Sequence, residues 1–296
     1  MGLRLDMLQA ASRAKGVLGR DAEKVAEFLT DQVNDDGGFR GRGDQSDLYF
    51  TVFGLSGLLA LGSKLPGQRI VGFIEGFQVG EGLDLVHLAC LARCRASLRL
   101  GADDLASLSI LAGVERHRSA DGGYNPIAGS SHGSAYGCFL AIGAYQDLSA
   151  DLADEAEVAR CLESLRSQDG GFNNSPGMEM GATAATAAAM VAMAELRRPV
   201  DGAAGGWLLD RCLAGGGFLA MPGLTRPDLL STATALHALG ATGCDLRRIE
   251  RVKKPCREFV RGLWHPAGGF GANTADRQPD CEHTFYSLLA LGHLSD

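Results

Sequence analysis

The chain has few aromatic residues and more acidic than basic ones. Aromatic residues make up 6% of the 296 residues, and 28 Lys and Arg stand against 35 Asp and Glu, which gives a formal net charge of −7. No cluster of Lys and Arg has the form that nucleic-acid-binding proteins present. The composition therefore excludes nucleic acid as a partner.

Long apolar runs and paired cysteines are also missing. No stretch of about 18 apolar residues free of charge occurs, so no transmembrane segment is expected. The first eight residues lack the apolar core of a signal peptide. Eight cysteines are scattered through apolar segments, and the one close pair, Cys90 and Cys94, has no second pair to match it. These features predict a cytoplasmic protein with reduced cysteines.

Glycine is abundant, with 41 residues, and some of it recurs in a repeated turn. The six turns are Gly37-Gly38-Phe39, Gly76-Phe77, Gly122-Gly123-Tyr124, Gly170-Gly171-Phe172, Gly216-Gly217-Phe218 and Gly268-Gly269-Phe270. Their aromatic residues lie 38 to 52 positions apart, a spacing too long for one helix and suited to a helix-loop-helix unit. Six such units take up the whole chain, so a single domain over residues 1–296 is expected.

Each turn separates two helical patterns of different character. Residues 154–167, before a turn, alternate apolar and charged residues at helical spacing, which indicates an outer helix with one wet face. Residues 183–196, after that turn, are apolar nearly all round, which indicates a helix buried on every side. Strand-like alternation is scarce. The predicted fold class is all-α, an (α/α)6 ring of inner and outer helices around a central cavity.

The start of each inner helix carries a polar residue at a nearly constant distance from the turn. These residues are Asp47, Asp84, His132, Glu179, Asp228 and Asp280, which follow the turn aromatic by 7 to 10 positions. Each acid taken alone is an ordinary helix-start residue, as Pro227-Asp228 and Pro279-Asp280 illustrate. Taken together, the six predict a rim at one mouth of the ring, where helix N-termini favour an anionic group.

Six such turns, each before an apolar helix, resemble the repeats of protein prenyltransferase β-subunits and of the related squalene and terpene cyclases. The resemblance spans essentially the full chain and implies the α/α toroid that both groups share. It also implies a prenyl diphosphate or another isoprenoid lipid as ligand. Since protein prenyltransferases work as heterodimers, an α-helical partner subunit is a further expectation.

In the prenyltransferase interpretation, Ser131-His132-Gly133 is similar to the segment whose His holds the donor diphosphate, with Arg226 as a nearby basic residue. Asp228 and His283 match zinc-ligand positions. The sequence departs from the family where Leu230 replaces the zinc-binding Cys and where Val86 replaces a diphosphate-binding Arg. Zinc remains an expectation only if Cys281 supplies the thiolate from a shifted position.

In the cyclase interpretation, Asp280-Cys281-Glu282-His283-Thr284 is similar to the Asp-x-Asp-Asp-Thr segment of class II terpene cyclases. The resemblance implies that Asp280 or Glu282 is an acid that protonates an alkene. Glu282 and His283 replace the second and third acids of that pattern. A protonated His283 would oppose the role, because a nearby positive charge lowers the pKa of a carboxyl group.

The inner helices also suggest how the cavity is lined. Tyr49, Tyr136 and Tyr286 fall on them as candidate substrate-binding residues, whereas residues 181–190 carry almost only small side chains. A wide apolar cavity with few aromatics favours binding of a long prenyl chain. The leading prediction is an enzyme that binds a prenyl diphosphate and transfers the prenyl group, with Asp228, Asp280, Glu282 and His283 as candidate catalytic residues. A class II cyclase and a non-catalytic lipid-binding toroid are the alternatives.

Overall fold

The computed structural model describes residues 2–101, 105–200, 202–243 and 246–295. Over these residues the chain forms helices and no β-strand beyond isolated bridges. The helices are α1 Leu3–Ser12, α2 Ala14–Leu18, α3 Asp21–Asp31, α4 Leu48–Leu61, α5 Gln68–Glu75, α6 Leu85–Leu98, α7 Leu105–Glu115, α8 Ala135–Asp147, α9 Glu155–Ser164, α10 Thr183–Glu195, α11 Gly202–Leu209, α12 Leu229–Thr242, α13 Leu246–Gly262 and α14 Cys281–His293.

The even-numbered helices from α4 to α14 form the inner wall of a closed ring. Each packs on the next, and α14 packs on α4 to close the circle. The odd-numbered helices from α3 to α13 lie outside, each against the inner helix that follows it in the chain. The inner helices are apolar on most faces because they are buried by neighbours on both sides as well as by the outer layer. The predicted all-α toroid is confirmed.

Five of the six glycine turns have one geometry. Their aromatic residue forms an antiparallel bridge with a residue six positions earlier, and the first glycine of each pair has φ between 86° and 100°. Only glycine adopts such a backbone without strain. The second repeat differs, because Gly76 lies in right-handed helical conformation at the end of α5 and no bridge forms around Phe77. The expectation of six equivalent turns is therefore corrected to five.

A hydroxyl group on the inner helix ties most of these turns down. The backbone N–H of Phe172 donates to Thr186 Oγ1 at 2.8 Å, and the turn aromatics Phe39, Phe218 and Phe270 donate to Thr51, Thr232 and Thr284 in the same way. In the third repeat Cys138 replaces the threonine and its Sγ lies 3.4 Å from the N–H of Tyr124. The aromatic rings themselves are at most 2% exposed. Each turn is thereby fixed to the helix that lines the cavity.

Aspartates begin four of the inner helices. Asp47, Asp84, Asp228 and Asp280 are N-caps whose side chains accept hydrogen bonds from backbone N–H groups in the first helical turn. The helix-start interpretation of these acids is confirmed. His132 and Glu179 are exposed and lie in the loops before α8 and α10, which begin after Ser134 and Ala182.

Helix α1 crosses the end of the ring opposite to these N-caps. It packs on α14, α4 and α8, and Leu3 N–H donates to Gln146 Oε1 at 2.8 Å. Arg4 Nε donates to Asp147 Oδ1 at 2.7 Å. The ring is therefore covered at the C-terminal ends of its inner helices.

Two further expectations from the sequence concern membrane spans and the state of the cysteines. In the part of the chain that the structure describes, no helix is long and apolar enough to cross a membrane. The cysteines within it carry free thiols, and Cys244 lies outside the described residues.

Candidate active site in the central cavity

The inner helices enclose a cavity of about 260 Å³. Its walls differ in character from side to side. Aromatic side chains come from α4, α8 and α14, namely Tyr49, Phe53, Tyr136, Phe139, Phe285 and Tyr286. The alanines at positions 184, 185, 187 and 188 of α10 line the cavity, together with Val191 and Leu230. The predicted small-residue wall and the three predicted tyrosines thus lie in the same cavity.

The aromatic wall is a packed cluster. The ring centroid of Phe53 lies 5.0 Å from the centroid of Tyr49, 6.0 Å from that of Phe285 and 5.4 Å from that of Tyr286. Such distances are typical of edge-on and tilted aromatic pairs. Faces of aromatic rings stabilise a positive charge, so this wall suits a hydrocarbon on which a carbocation forms.

Glu282 is the one acidic residue that lines the cavity within the described chain. Its Oε1 lies 2.6 Å from the hydroxyl of Tyr49. Burial and the nearby Tyr286 and Glu282 groups raise the pKa of Tyr49, so its hydroxyl keeps its proton and acts as a donor. Burial, with Cys90 and Glu282 nearby, raises the pKa of Tyr136 to about 12. A carboxyl group in this position can exchange a proton with a ligand in the cavity.

Asp280 and His283 form a buried ion pair beside this carboxyl group. His283 Nδ1 lies 2.8 Å from Asp280 Oδ1, and Arg42 Nε donates to Oδ2 at 3.0 Å. Burial alone would raise the pKa of Asp280, but the hydrogen bond and charge of His283 and the charge of Arg42 lower it overall. Burial alone would lower the pKa of His283, but Asp280 and the charge of Glu282 raise it. Asp280 is therefore ionised and is held by two positive partners.

The sequence profile of the prenyltransferase alpha-alpha toroid domain matches residues 4–71, 68–219 and 205–296. The chain belongs to this family. No curated protein sequence matches it.

Solved structures that are similar to this toroid include enzymes of three kinds. Protein geranylgeranyltransferase-I of Candida albicans, complexed with GGPP, has a TM-score of 0.67 at 14% identity, over 90% of this chain and 89% of that chain. The type II terpene cyclase MstE of Scytonema, in complex with geranylgeranyl dihydroxybenzoate, has a TM-score of 0.65 at 14% identity, over 99% and 98%. The GH76A α-1,6-mannanase of Salegentibacter sp. HEL1_6 has a TM-score of 0.64 at 12% identity, over 93% and 98%. At these identities the likeness shows the shared fold.

The residues predicted to hold a diphosphate lie outside the toroid cavity. His132 is exposed, with its Nδ1 3.8 Å from Asp121 Oδ2, and Arg226 is exposed in the loop before α12. Neither lines the cavity, whereas Val86 and Leu230 do. The structure therefore does not bring His132 and Arg226 together with the three tyrosines.

The donor set does not fit a catalytic zinc ion. Asp280, Glu282 and His283 each offer one ligand atom, and these three atoms lie within 4.8 Å of one another. Asp280, however, caps α14 and binds Arg42, and Asp228 accepts from both the backbone and the hydroxyl of Ser231. The thiol of Cys281 is buried and directed at the carbonyl of Arg40, with its pKa raised by burial.

In this group only Glu282, which accepts from Tyr49 through one oxygen, and Nε2 of His283 then remain as metal donors, and a catalytic zinc site needs three protein ligands.

Two features of the toroid cavity were missed by the sequence analysis. Arg93 Nε donates to Asp147 Oδ2 at 3.1 Å, so Asp147 joins Arg93 to Arg4 of α1 at the covered end of the cavity. His237, on α12, also lines the cavity and is 6% exposed. The available signal for His237 was a single basic residue in an otherwise apolar helix, Leu229–Thr242.

Proposed function

We propose that this toroid binds an isoprenoid in its central cavity and that Glu282 protonates one of its double bonds. The observation that carries the proposal is the position of Glu282, an acid on an aromatic-lined apolar cavity, 2.6 Å from the hydroxyl of Tyr49. The similar toroids of known structure that hold GGPP and geranylgeranyl dihydroxybenzoate support an isoprenoid as ligand class.

The proposed step begins with the carboxylic acid form of Glu282. Its O–H bond breaks as a C–H bond forms at one alkene carbon, which leaves a carbocation at the other. The hydroxyl of Tyr49 donates to the carboxylate that remains, and the aromatic faces of Phe53 and Tyr286 stabilise the cation. The apolar walls keep water away from the cation.

Asp280 is not the acid in this proposal. Its carboxylate is held by His283 and Arg42 and its pKa is lowered, so the proton needed for transfer is absent from it. Asp280 instead caps α14 and pairs with His283, which fixes the first helical turn that carries Glu282 and offsets the positive charge of His283.

Prenyl transfer from a prenyl diphosphate is the second candidate. The observation that favours it is the common orientation of the inner helices, whose N-termini all lie at the mouth near His132 and Arg226. Against it, these two residues lie outside the cavity, and Arg42 is bound to Asp276 and Asp280. Both candidates place the hydrocarbon chain in the same cavity, and they differ in the reaction and in what holds the polar end of the ligand.

The two candidates differ in what happens to solvent hydrogen and to phosphate. The purified protein is incubated in D₂O with linear polyprenes of fifteen to thirty carbons, with and without a diphosphate group, and products are analysed by mass spectrometry. Protonation by Glu282 predicts one solvent deuterium in the product with no release of diphosphate. We expect Glu282→Gln to lower turnover by at least about 100-fold, the scale of lost general acid catalysis.

Glu179→Gln is the matched control, because Glu179 is exposed in a loop at the same mouth. Its turnover is expected to equal that of the wild type. Full turnover by Glu282→Gln, or a product without deuterium together with released diphosphate, would reject the protonation step.

A further inference from the structure

His237 stands between the central cavity and a second pocket at the opposite end of the ring. The second pocket lies where α1 crosses the C-terminal ends of α8, α10, α12 and α14. Its lining is largely polar and includes Asp6, Arg13, Glu195 and Arg197. His237 lines both spaces, so its ring can connect the apolar cavity with a polar, water-accessible one.

The two nitrogens of this buried ring have different surroundings. Nδ1 lies 3.0 Å from Nε2 of His293, which lines the second pocket. Nε2 is buried and has no hydrogen-bond partner among the described residues. Leaving a buried polar atom unpaired costs about 1 to 3 kcal/mol, so such an atom calls for an explanation. A ligand in the central cavity that donates a hydrogen bond to Nε2 would give this atom its missing partner.

Both rings of the pair are neutral at pH 7. Burial and the charge of Arg93 lower the pKa of His237 to about 4, and burial with the charges of His237 and Arg13 lowers that of His293 to about 3. A neutral imidazole has one N–H donor and one acceptor nitrogen. When Nδ1 of His237 donates to His293, its Nε2 is a free acceptor.

We propose that His237 is the base of the central cavity, whose Nε2 accepts a proton from the bound ligand, and that His293 passes this proton to the second pocket. The inference rests on the proposed function. After Glu282 has protonated the alkene, a C–H bond next to the cation breaks, its electron pair forms a new C=C bond, and the proton moves to Nε2. A carbocation makes the neighbouring C–H bonds so acidic that a weak base is sufficient.

The pair then returns the proton to solvent. The Nδ1 proton of His237 shifts to Nε2 of His293, and the other ring nitrogen of His293 releases a proton to water in the second pocket. Glu282 regains its proton from water at the mouth, so the whole cycle is an isomerisation that needs no oxidant or reductant. Glu282 and His293 lie in the first and last turns of α14, about 16 Å apart at the rise of an α-helix. Proton entry and proton exit are thus at opposite ends of the cavity.

A binding experiment tests the acceptor without requiring turnover. The probes are a twenty-carbon prenyl alcohol, whose neutral hydroxyl can donate to Nε2, and the hydrocarbon of the same chain. Affinities are measured by calorimetry in the Glu282→Gln background, so that the carboxyl group of Glu282 does not bind the alcohol. We expect the alcohol to bind at least about 10-fold more tightly than the hydrocarbon, equivalent to one good hydrogen bond of about 1.4 kcal/mol.

His237→Asn is expected to abolish this preference. Its amide group takes the place of Nδ1 and keeps the contact with His293, while Nε2 is lost. His117→Asn is the control, because His117 is also buried and bonded through Nδ1, but to the carbonyl of Asn125 and away from the cavity. Thermal unfolding establishes that each variant is folded. Equal affinity for the two probes, or a preference that survives in His237→Asn, would overturn the proposal.

Product analysis adds the second readout. With Glu282 intact, His237→Asn is expected to consume polyprene still. At least half of the product is expected to change from alkene to alcohol, because water from the second pocket passes the smaller side chain and captures the cation. His237→Asn with an unchanged alkene product would reject the role as base. If the preference for the alcohol depends on His237 but no polyprene is consumed by any variant, the proposed function fails while His237 stands as the ligand acceptor of the cavity.

Discussion

At the scale of single residues, the start of α14 separates three neighbouring side chains into different environments. Asp280 caps the helix and faces Arg42, His283 turns back onto Asp280, and Glu282 faces the cavity and Tyr49. Successive residues on an α-helix point about 100° apart, so neighbours in sequence face different surroundings. Because of this difference, one carboxyl group is held ionised and another is free to meet a ligand.

The Asp280–His283 pair predicts a dependence of stability on pH. The pKa of His283 is raised on folding, so its contribution to stability is fully present below its ordinary value of 6.5 and is lost as pH rises through the folded value. We expect the unfolding free energy of the wild type, relative to His283→Asn, to fall by about 1 to 2 kcal/mol from pH 6 upward. Chemical denaturation at a series of pH values measures this difference.

The asparagine variant is the suitable reference because its amide nitrogen can replace Nδ1 as donor to Asp280 without titrating. Arg42 stays charged throughout this range and does not contribute to the slope. A difference that stays constant from pH 6 to pH 9 would mean that His283 is not protonated in the folded protein.

At the scale of the elements, the sequence analysis identified the helices, most of the turns and Glu282, but not all of the polar residues that face the cavity. Apolar periodicity and glycine turns are local signals, and they located the inner helices and the tyrosines. The direction of a side chain near a helix start depends on where the helix begins and on the length of the preceding loop. His132 lies two residues before the cap Ser134, and this small offset places it in a loop outside the cavity. His237 was missed because a single histidine in an apolar helix gives no motif.

The threonines that bind the turns give a prediction for one element. Thr186→Val removes the hydroxyl that accepts from the N–H of Phe172, and this buried group then lacks a partner. We expect a loss of about 1 to 3 kcal/mol in unfolding free energy. Thr30→Val, at an exposed position on α3, is the control and is expected to stay within about 0.5 kcal/mol of the wild type. Equal stabilities of the two variants would show that the turn does not depend on this hydroxyl.

At the scale of the whole molecule, the covered end of the ring depends on close packing between α1 and α14. A methyl group on Gly292 would overlap the carbonyl oxygen of Ala10, whereas one on Gly72, within α5, would meet no atom within 4 Å. Glycine to alanine in a helix normally stabilises by about 0.5 to 1 kcal/mol. We expect that gain for Gly72→Ala, and a loss of about 1 to 3 kcal/mol from overpacking for Gly292→Ala.

Thermal and chemical unfolding of the two variants measures this contrast. If both substitutions stabilised the protein, α1 and α14 would not be packed as closely at Gly292 as in the structure. Ligand affinity of the two variants can be compared as well, since α1 contributes Arg4, Met7 and Leu8 to the cavity wall.

The seam between α14 and the first helices also has a consequence for synthesis of the chain. Arg42 reaches across to Asp276 and Asp280, and α14 packs on α1 and α4. Contacts of such large sequence separation carry a high loop-closure entropy and slow folding. On the ribosome, α1 and α4 emerge long before their partner, with apolar surface that nothing yet covers. The nascent ring therefore has to be kept from aggregation until its last helix leaves the exit tunnel.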